Sequence, residues 1–239
     1  MREKVLVMFS GGLDSLLTTC KVIENGYKAV LVHYDNGCMS GASKVCKIAS
    51  KIIERYGQDK VEFWGIGQMA GYFYVLNNFR FMKYPTLSTL SSHYPFLIPQ
   101  QMNCLTCRTA MYIFSILLCK QLKINKIAEG ARKSQLFAIE QEEMLEEYKK
   151  LLANFAIELL LPVLDLESDY EREELLLIRQ IMPREEKIQC WLGSPMHKPL
   201  SAEELADVVK YFQEELLEPT LKLIKESEKI PLDNRGKVF

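Results

Sequence analysis

The 239-residue chain has no apolar run approaching the length of a membrane span, and its first residues pass directly into a strand pattern with no secretory leader. Both absences predict a cytoplasmic protein without membrane contact. An excess of one charge is missing too. Thirty Lys and Arg face 31 Asp and Glu, a formal charge of −1, which argues against a broad nonspecific nucleic-acid surface and leaves room for a local basic patch. Internal repeats and low-complexity tracts are absent. Seven cysteines, an odd number in a chain of this expected location, are better read as thiols, metal ligands or catalytic groups than as a disulfide framework. What is present is ordinary for a globular protein: 48% hydrophobic and 26% charged residues, enough for one sizeable core and a small appended subdomain.

The most informative stretch is Ser10-Gly11-Gly12-Leu13-Asp14-Ser15, between the apolar run Lys4 to Phe9 and the amphipathic spacing of Leu13 to Ile23. A strand that turns into a helix through small residues is an anion site by construction. The glycines let the backbone approach a phosphate, the serines offer hydroxyls, and the first-turn N–H groups lack intrahelical partners. A plain turn between strand and helix needs one glycine and one cap, whereas this loop doubles both and adds an acid. The Gly-Lys-Ser/Thr ending of a Walker loop is lacking, so no lysine holds the anion and Asp14 fits a metal-assisting or loop-orienting role.

A second strand, Ala29 to Tyr34, ends in Asp35-Asn36-Gly37, and strand–helix–strand order predicts a parallel crossover with Asp35 at the same crevice as Ser10. Ser43 to Tyr56 predicts a helix and Val61 to Ile66 a strand. Residues 67–102, rich in Tyr, Phe, Asn, Ser and Pro and without a clear period, are expected to form an insertion or lid. Cys104-Leu105-Thr106-Cys107 is expected to open the following helix, where first-turn N–H groups would favour thiolates; a redox pair, half of a metal site and coincidence compete there. Lys126 to Gly130 predicts a fourth strand, with Arg132 and Lys133 just beyond it as candidates to neutralise phosphate. Gln141 to Asn154 reads as a charged helix, and Ile157 to Leu164 as a fifth strand whose Pro162 marks an edge or an end. A helix over Asp165 to Met182 precedes a compact loop carrying Cys190, and Ala202 to Glu228 is a helical region broken at Pro219.

Ser10 to Ser15 resembles the SGGxDS signature of the PP-loop ATP pyrophosphatases. The order of Cys104 and Cys107, Gly130 with Gln135, Leu161-Pro162-Val163-Leu164 and then Cys190 is similar to the tRNA-thiolating branch of that superfamily. The resemblance implies an α/β, Rossmann-like (adenine nucleotide alpha hydrolase-like) fold: a five-stranded parallel sheet with helices on both faces, in a domain over residues 1–200, with a C-terminal helical extension over 201–239. It implies that Ser10, Gly11, Gly12, Asp14 and Ser15 hold the pyrophosphate of ATP, with Mg²⁺ at Asp14, Asp35 near the nucleoside and Gly130 at the crevice. Cys104, Cys107 and Cys190 would ligate an iron–sulfur cluster with an open iron site, or zinc, or Cys107 and Cys190 would carry sulfur. The lysine usual one turn after the C-x-x-C is replaced by Met111, with Arg108 the nearest base, and the acidic pair usual after the fourth strand is replaced by Ser134 and Gln135.

The implied activity is adenylation of a carbonyl oxygen on a nucleobase, in tRNA or in a small heterocycle, with release of pyrophosphate. A sulfur nucleophile then displaces AMP, supplied with the help of a sulfur-donor protein. Two alternatives remain open: an ammonia-using ligase of the cyano-deazaguanine synthase or NAD synthetase type, and a non-catalytic nucleotide-binding module. The C-terminal helices are expected by default to cover the core, with self-association as a homodimer the alternative.

Overall fold

The computed structural model describes residues 2–35, 41–181, 199–229 and 232. In chain order the elements are β1 (Lys4–Met8), α1 (Leu13–Glu24), β2 (Lys28–Asp35), α2 (Ala42–Tyr56), β3 (Val61–Gln68), α3 (Ala70–Lys83), α4 (Leu87–Ser91) and α5 (Pro99–Leu122). They continue with β4 (Lys126–Ala128), a 3₁₀ turn at Ala138–Glu140, α6 (Glu142–Ala153), β5 (Glu158–Leu160), α7 (Asp169–Ile178), α8 (Ala202–Tyr211) and α9 (Leu217–Ser227). The strands form one five-stranded sheet in the order β3-β2-β1-β4-β5, with parallel pairing throughout. This is the doubly wound parallel architecture expected from the sequence.

The continuous apolar runs of β1 and β2 are explained by burial on both faces. Side chains alternate along a strand, and the two cores divide accordingly. Val5, Val7, Ala29 and Leu31 pack with Leu16 and Leu17 of α1, Ile48 and Ile52 of α2, and Leu176 of α7. Leu6, Met8, Val30 and Val32 face the other way, onto a larger cluster built from α3 to α6, α8 and α9. The chain winds outward from β1 to β3 and then crosses back over β1 to β4, so neighbouring connections diverge at the carboxyl ends of β1 and β4. Such a switch point opens the crevice in which this class of sheet binds ligands.

Several expectations change. Residues 67–102 are largely helical: α3, α4 and the start of α5 occupy them, and Leu76, Tyr84, Leu90, Tyr94 and Leu97 belong to the larger core. Helix α5 begins at Pro99, not at Cys104, because Pro at the first helical position lacks only an N–H that would be unpaired there anyway. It is also the exception to the expected absence of membrane-length apolar segments, since a window of it meets that length and hydropathy; 72% of the window is buried against the rest of the chain. The C-terminal helix is not broken at Pro219. Residues Phe212–Leu216 widen into a π turn between α8 and α9, and Pro219 sits within α9, where the loosened turn accommodates its missing N–H. β5 ends at Leu160, ahead of Pro162, and lies at the sheet edge as expected. Helix α6, expected as a solvent or partner face, buries Met144, Leu145, Tyr148, Leu151 and Leu152.

Candidate functional site

The turn from β1 to α1 lies at the switch point. Gly11 has φ 77°, a left-handed conformation that favours glycine. The two serines tie the loop to itself: the Ser10 hydroxyl accepts from the Gly12 N–H at 3.2 Å and lies 3.1 Å from the Ser15 hydroxyl, which donates to the Gly12 carbonyl at 2.9 Å. These bonds shape the backbone around the expected anion site. Gly12 caps α1 without any side-chain hydrogen bond, so the first-turn N–H groups are not consumed by a cap. Together with the helix dipole they make an anion-attracting end.

Gly130 completes the loop's setting by proximity. A Cβ there would stand 2.8 Å from the backbone carbon of Asp14 and 2.9 Å from the Ser15 nitrogen, so the chain leaving β4 touches the first turn of α1 directly. Gly130 therefore serves as a point of close backbone approach.

Asp14 is the hub. Arg132 Nε lies 2.7 Å from Asp14 Oδ1, Arg172 Nη1 lies 3.1 Å from Oδ2 and 3.2 Å from Oδ1, and Gln135 Nε2 donates to Oδ2 at 2.8 Å. Asp169, at the start of α7, binds both guanidinium groups, at 2.6 Å from Arg132 Nη2 and 3.3 Å from Arg172 Nη1. Both arginines are buried, yet the Nε–H of each lacks an aligned hydrogen-bond acceptor, including Arg132 Nε despite its short distance to Asp14. Two buried guanidinium groups beside a helix N-terminus fit an incoming phosphate. Asp14 itself does not fit a protein-held Mg²⁺ in this arrangement, because its carboxylate already faces two guanidinium groups and an amide.

Behind this cluster lies a second charge layer. Arg108 of α5 donates to Glu129 Oε2 at 2.6 Å, and its Nη2 lies 3.8 Å from Glu140. Glu140 accepts from the Arg132 backbone N–H at 3.3 Å. Burial pushes the Glu140 carboxyl up to about 8, against the opposing pull of Arg108. His33, also buried, has Nδ1 3.1 Å from the Phe9 carbonyl, which only accepts, so Nδ1 carries a proton; burial lowers the ring's basicity.

Of the residues singled out from sequence, Ser10, Gly11, Gly12, Asp14, Ser15, Gly130, Arg132 and Gln135 come together. Asp35 ends β2, paired in register with Gln68 at the carboxyl side of the sheet. Lys133 does not join them: its amine is half-exposed and sits 3.2 Å from Asp165 and 3.8 Å from Glu142, whose charges raise its basicity. Sequence reasoning missed Arg172, Asp169 and the Arg108–Glu129–Glu140 layer. The available signal for Arg172 was its position: it is four residues before Leu176 on the buried stripe of α7, where an arginine needs anionic partners.

The cysteines form a different kind of site. Cys104 and Cys107 lie in the second and third turns of α5, beyond the first turn in which the dipole acts, so the thiolate activation expected of a helix N-terminus does not apply. Their i, i+3 spacing puts them on one half-buried face, one residue before Arg108. Among the described cysteines none forms a disulfide. No group of three metal-ligating side chains is assembled among the described residues; Cys190 lies outside them. Two thiols at this spacing fit half of a cluster or zinc site, and the described residues do not complete one.

The chain is similar to known proteins. The family model described as thiamine biosynthesis protein (ThiI) matches residues 1–139. A curated relative, a probable tRNA sulfurtransferase of Methanothermobacter thermautotrophicus, is 26% identical over 136 residues, 56% of this chain and 30% of its own length. A crystal structure of a 4-thiouridine synthetase–RNA complex with bound ATP superposes with a TM-score of 0.59 at 13% identity, over 95% of this chain and 53% of that one. That likeness is one of fold. The chain thus spans about a third of the curated relative's length and about half of the solved structure's.

Proposed function

The chain belongs to the thiamine biosynthesis protein (ThiI) family, and from that premise we propose that it binds ATP at the β1–α1 loop and adenylates a carbonyl oxygen of a nucleobase in tRNA for replacement by sulfur. The observation that carries this reading is the convergence of Arg132, Arg172 and Gln135 on Asp14 at the open end of α1. The N–H groups of the first turn of α1 would hold the pyrophosphate, and Asp14 would keep both arginines extended toward it before nucleotide arrives. As the α-phosphorus is attacked by the substrate oxygen, the bond to the β-phosphate oxygen breaks and negative charge accumulates on departing pyrophosphate. Arg132 and Arg172 lie where they can neutralise it. Asp35, at the end of the adjoining strand, is assigned to the nucleoside.

Adenylation turns the carbonyl oxygen into part of an AMP leaving group, which a sulfur nucleophile then expels. Cys107 and Cys190 are assigned to carrying that sulfur, delivered by a sulfur-donor protein. Magnesium, when present, supplies charge neutralisation on the phosphates. An iron–sulfur cluster or zinc at Cys104, Cys107 and Cys190 is the alternative use of the thiols; an iron and zinc count on anaerobically purified protein separates the two.

The test is product analysis. Incubation with ATP and tRNA should yield AMP and pyrophosphate, and, with a sulfur donor, thiolated nucleoside in the tRNA digest. ADP and phosphate as products would overturn the reading.

A further inference from the structure

Helices α3 and α4 and the first turns of α5 enclose a pocket of about 180 Å³, lined by Arg80, Phe81, Tyr84, Leu87, Met102 and Asn103 among others. Its size suits one planar ring. The Arg80 guanidinium lies 4.1 Å above the Phe81 ring, and its Nη1 is buried with no hydrogen-bond partner. Burial also lowers its basicity. A native protein rarely leaves such a donor unmatched, and a guanidinium stacked on an aromatic ring is a platform on which a further flat group can be laid. Its apolar lining is open to solvent: Phe81 is 55% exposed and Leu87 62%. The neighbouring cation, Lys83, is already bound to Glu215 at 2.7 Å, so beside Arg80 the pocket offers ring faces and the neutral polar groups of Thr86 and Asn103. That combination disfavours a dianionic phosphate and favours a neutral ring bearing a carbonyl oxygen.

We propose that this pocket takes a single unpaired nucleobase of the RNA substrate, stacked on the Arg80–Phe81 pair with Asn103 on the rim as its polar contact. The inference rests on the reading that RNA is the acceptor. Location supports it: Asn103, on the rim, directly precedes Cys104, and five residues of helix, about 7–8 Å, separate it from Arg108, which bonds Glu129 beside Gly130. A base held here would place its neighbours along the cysteine face toward the nucleotide loop. The chain's charge of −1 is compatible with a base pocket and argues against reliance on a phosphate groove.

The test uses the full chain and fluorescein-labelled U12 RNA, read by anisotropy, with Arg80→Gln and Phe81→Ala as variants. Phe81 is sufficiently exposed for its truncation to spare the fold, and ATP affinity serves as the control for both. The proposal expects single-stranded U12 to bind more tightly than the same strand in a duplex. It expects each variant to weaken U12 binding by about 5- to 50-fold with ATP affinity unchanged, and photocrosslinks from 4-thiouridine placed in the strand to fall on residues 80–87. Equal binding of single strand and duplex, undiminished U12 binding by both variants, or crosslinks elsewhere would overturn it. The two readings fail separately. Parent protein that forms AMP while the pocket variants bind RNA normally loses only the base pocket, and parent protein that forms no AMP yet needs Arg80 for single-stranded RNA loses only the adenylation reading.

Discussion

The β1–α1 loop and the cysteine face of α5 are both short motifs of small, reactive residues, but the protein treats them in opposite ways. Around Asp14 the fold brings Arg132, Gln135 and Arg172 from three different places in the chain, so the carboxylate is held from several sides. Cys104 and Cys107 sit on a half-buried helix face with no third metal-ligating side chain assembled beside them among the described residues. The first site is organised before any ligand arrives. The second, on the proposed function, depends on something delivered to it. On the proposed function, activation should therefore be sensitive to single side chains around Asp14, and sulfur transfer should be separable from it.

The sharpest way to break the contrast is Arg172→Ala. Loss of a buried guanidinium aimed at the departing pyrophosphate should lower AMP formation by about 10²–10³-fold, whereas Arg172→Lys, a point charge without the planar fork, should recover only part of it. Single-turnover release of pyrophosphate measures both, and full activity in Arg172→Ala would place the neutralising charge elsewhere. Next comes Cys107→Ser. Thiolated product should fall by at least about tenfold while pyrophosphate release continues at the parental rate, because a hydroxyl at neutral pH is a far weaker nucleophile than a thiolate. If both fall together, the two sites are one machine.

Glu140 sharpens the comparison through pH. Its folded pKa, about 8, is raised above the 4.5 of an ordinary carboxyl, so between those values the folded state binds more protons than the unfolded state. Stability from this group is fully present below about 4.5 and is lost as pH rises through 8. Glu140→Gln should remove that slope and raise stability at pH 8.5 by roughly 1–3 kcal/mol, read from urea midpoints at pH 6 and 8.5. An unchanged slope would mean that Arg108 keeps the carboxylate ionised throughout. The smallest effect belongs to Lys133→Ala, which breaks two exposed ion pairs and should alter AMP formation by less than about twofold.

How far the sequence could be read follows from how local each feature is. The strand, loop and first helix at Ser10 to Ser15 are contiguous, and six consecutive residues suffice to specify the turn, so that part was legible. The parallel sheet was legible for the same reason, since each apolar strand is bounded by its own breakers. Arg172 was not, because it meets Asp14 across 158 positions and an arginine on an acidic helix ordinarily faces water. The start of α5 was obscured by the attention cysteines attract, although Pro99 at the first helical position marks it. Pro219 misled in the other direction. Proline normally ends a helix, but the π turn at Phe212–Leu216 absorbs it and turns Glu215 toward Lys83, Tyr84 and Tyr94, whose side chains all donate to it.

The larger core has a consequence during biosynthesis. The core that includes Leu6 and Val30 is completed on the outer side of α5 and α6 by Val208, Tyr211, Phe212, Leu216 and Ile224, all synthesised long after the residues matched by the family model have been made. At about 5–20 residues per second, the interval between residues 139 and 224 is roughly 4–17 s, during which helix α5 leaves the ribosome with part of its apolar surface uncovered. The nascent chain is therefore expected to occupy a chaperone in that interval, and a fragment ending at residue 139 should aggregate even though it contains the whole nucleotide loop.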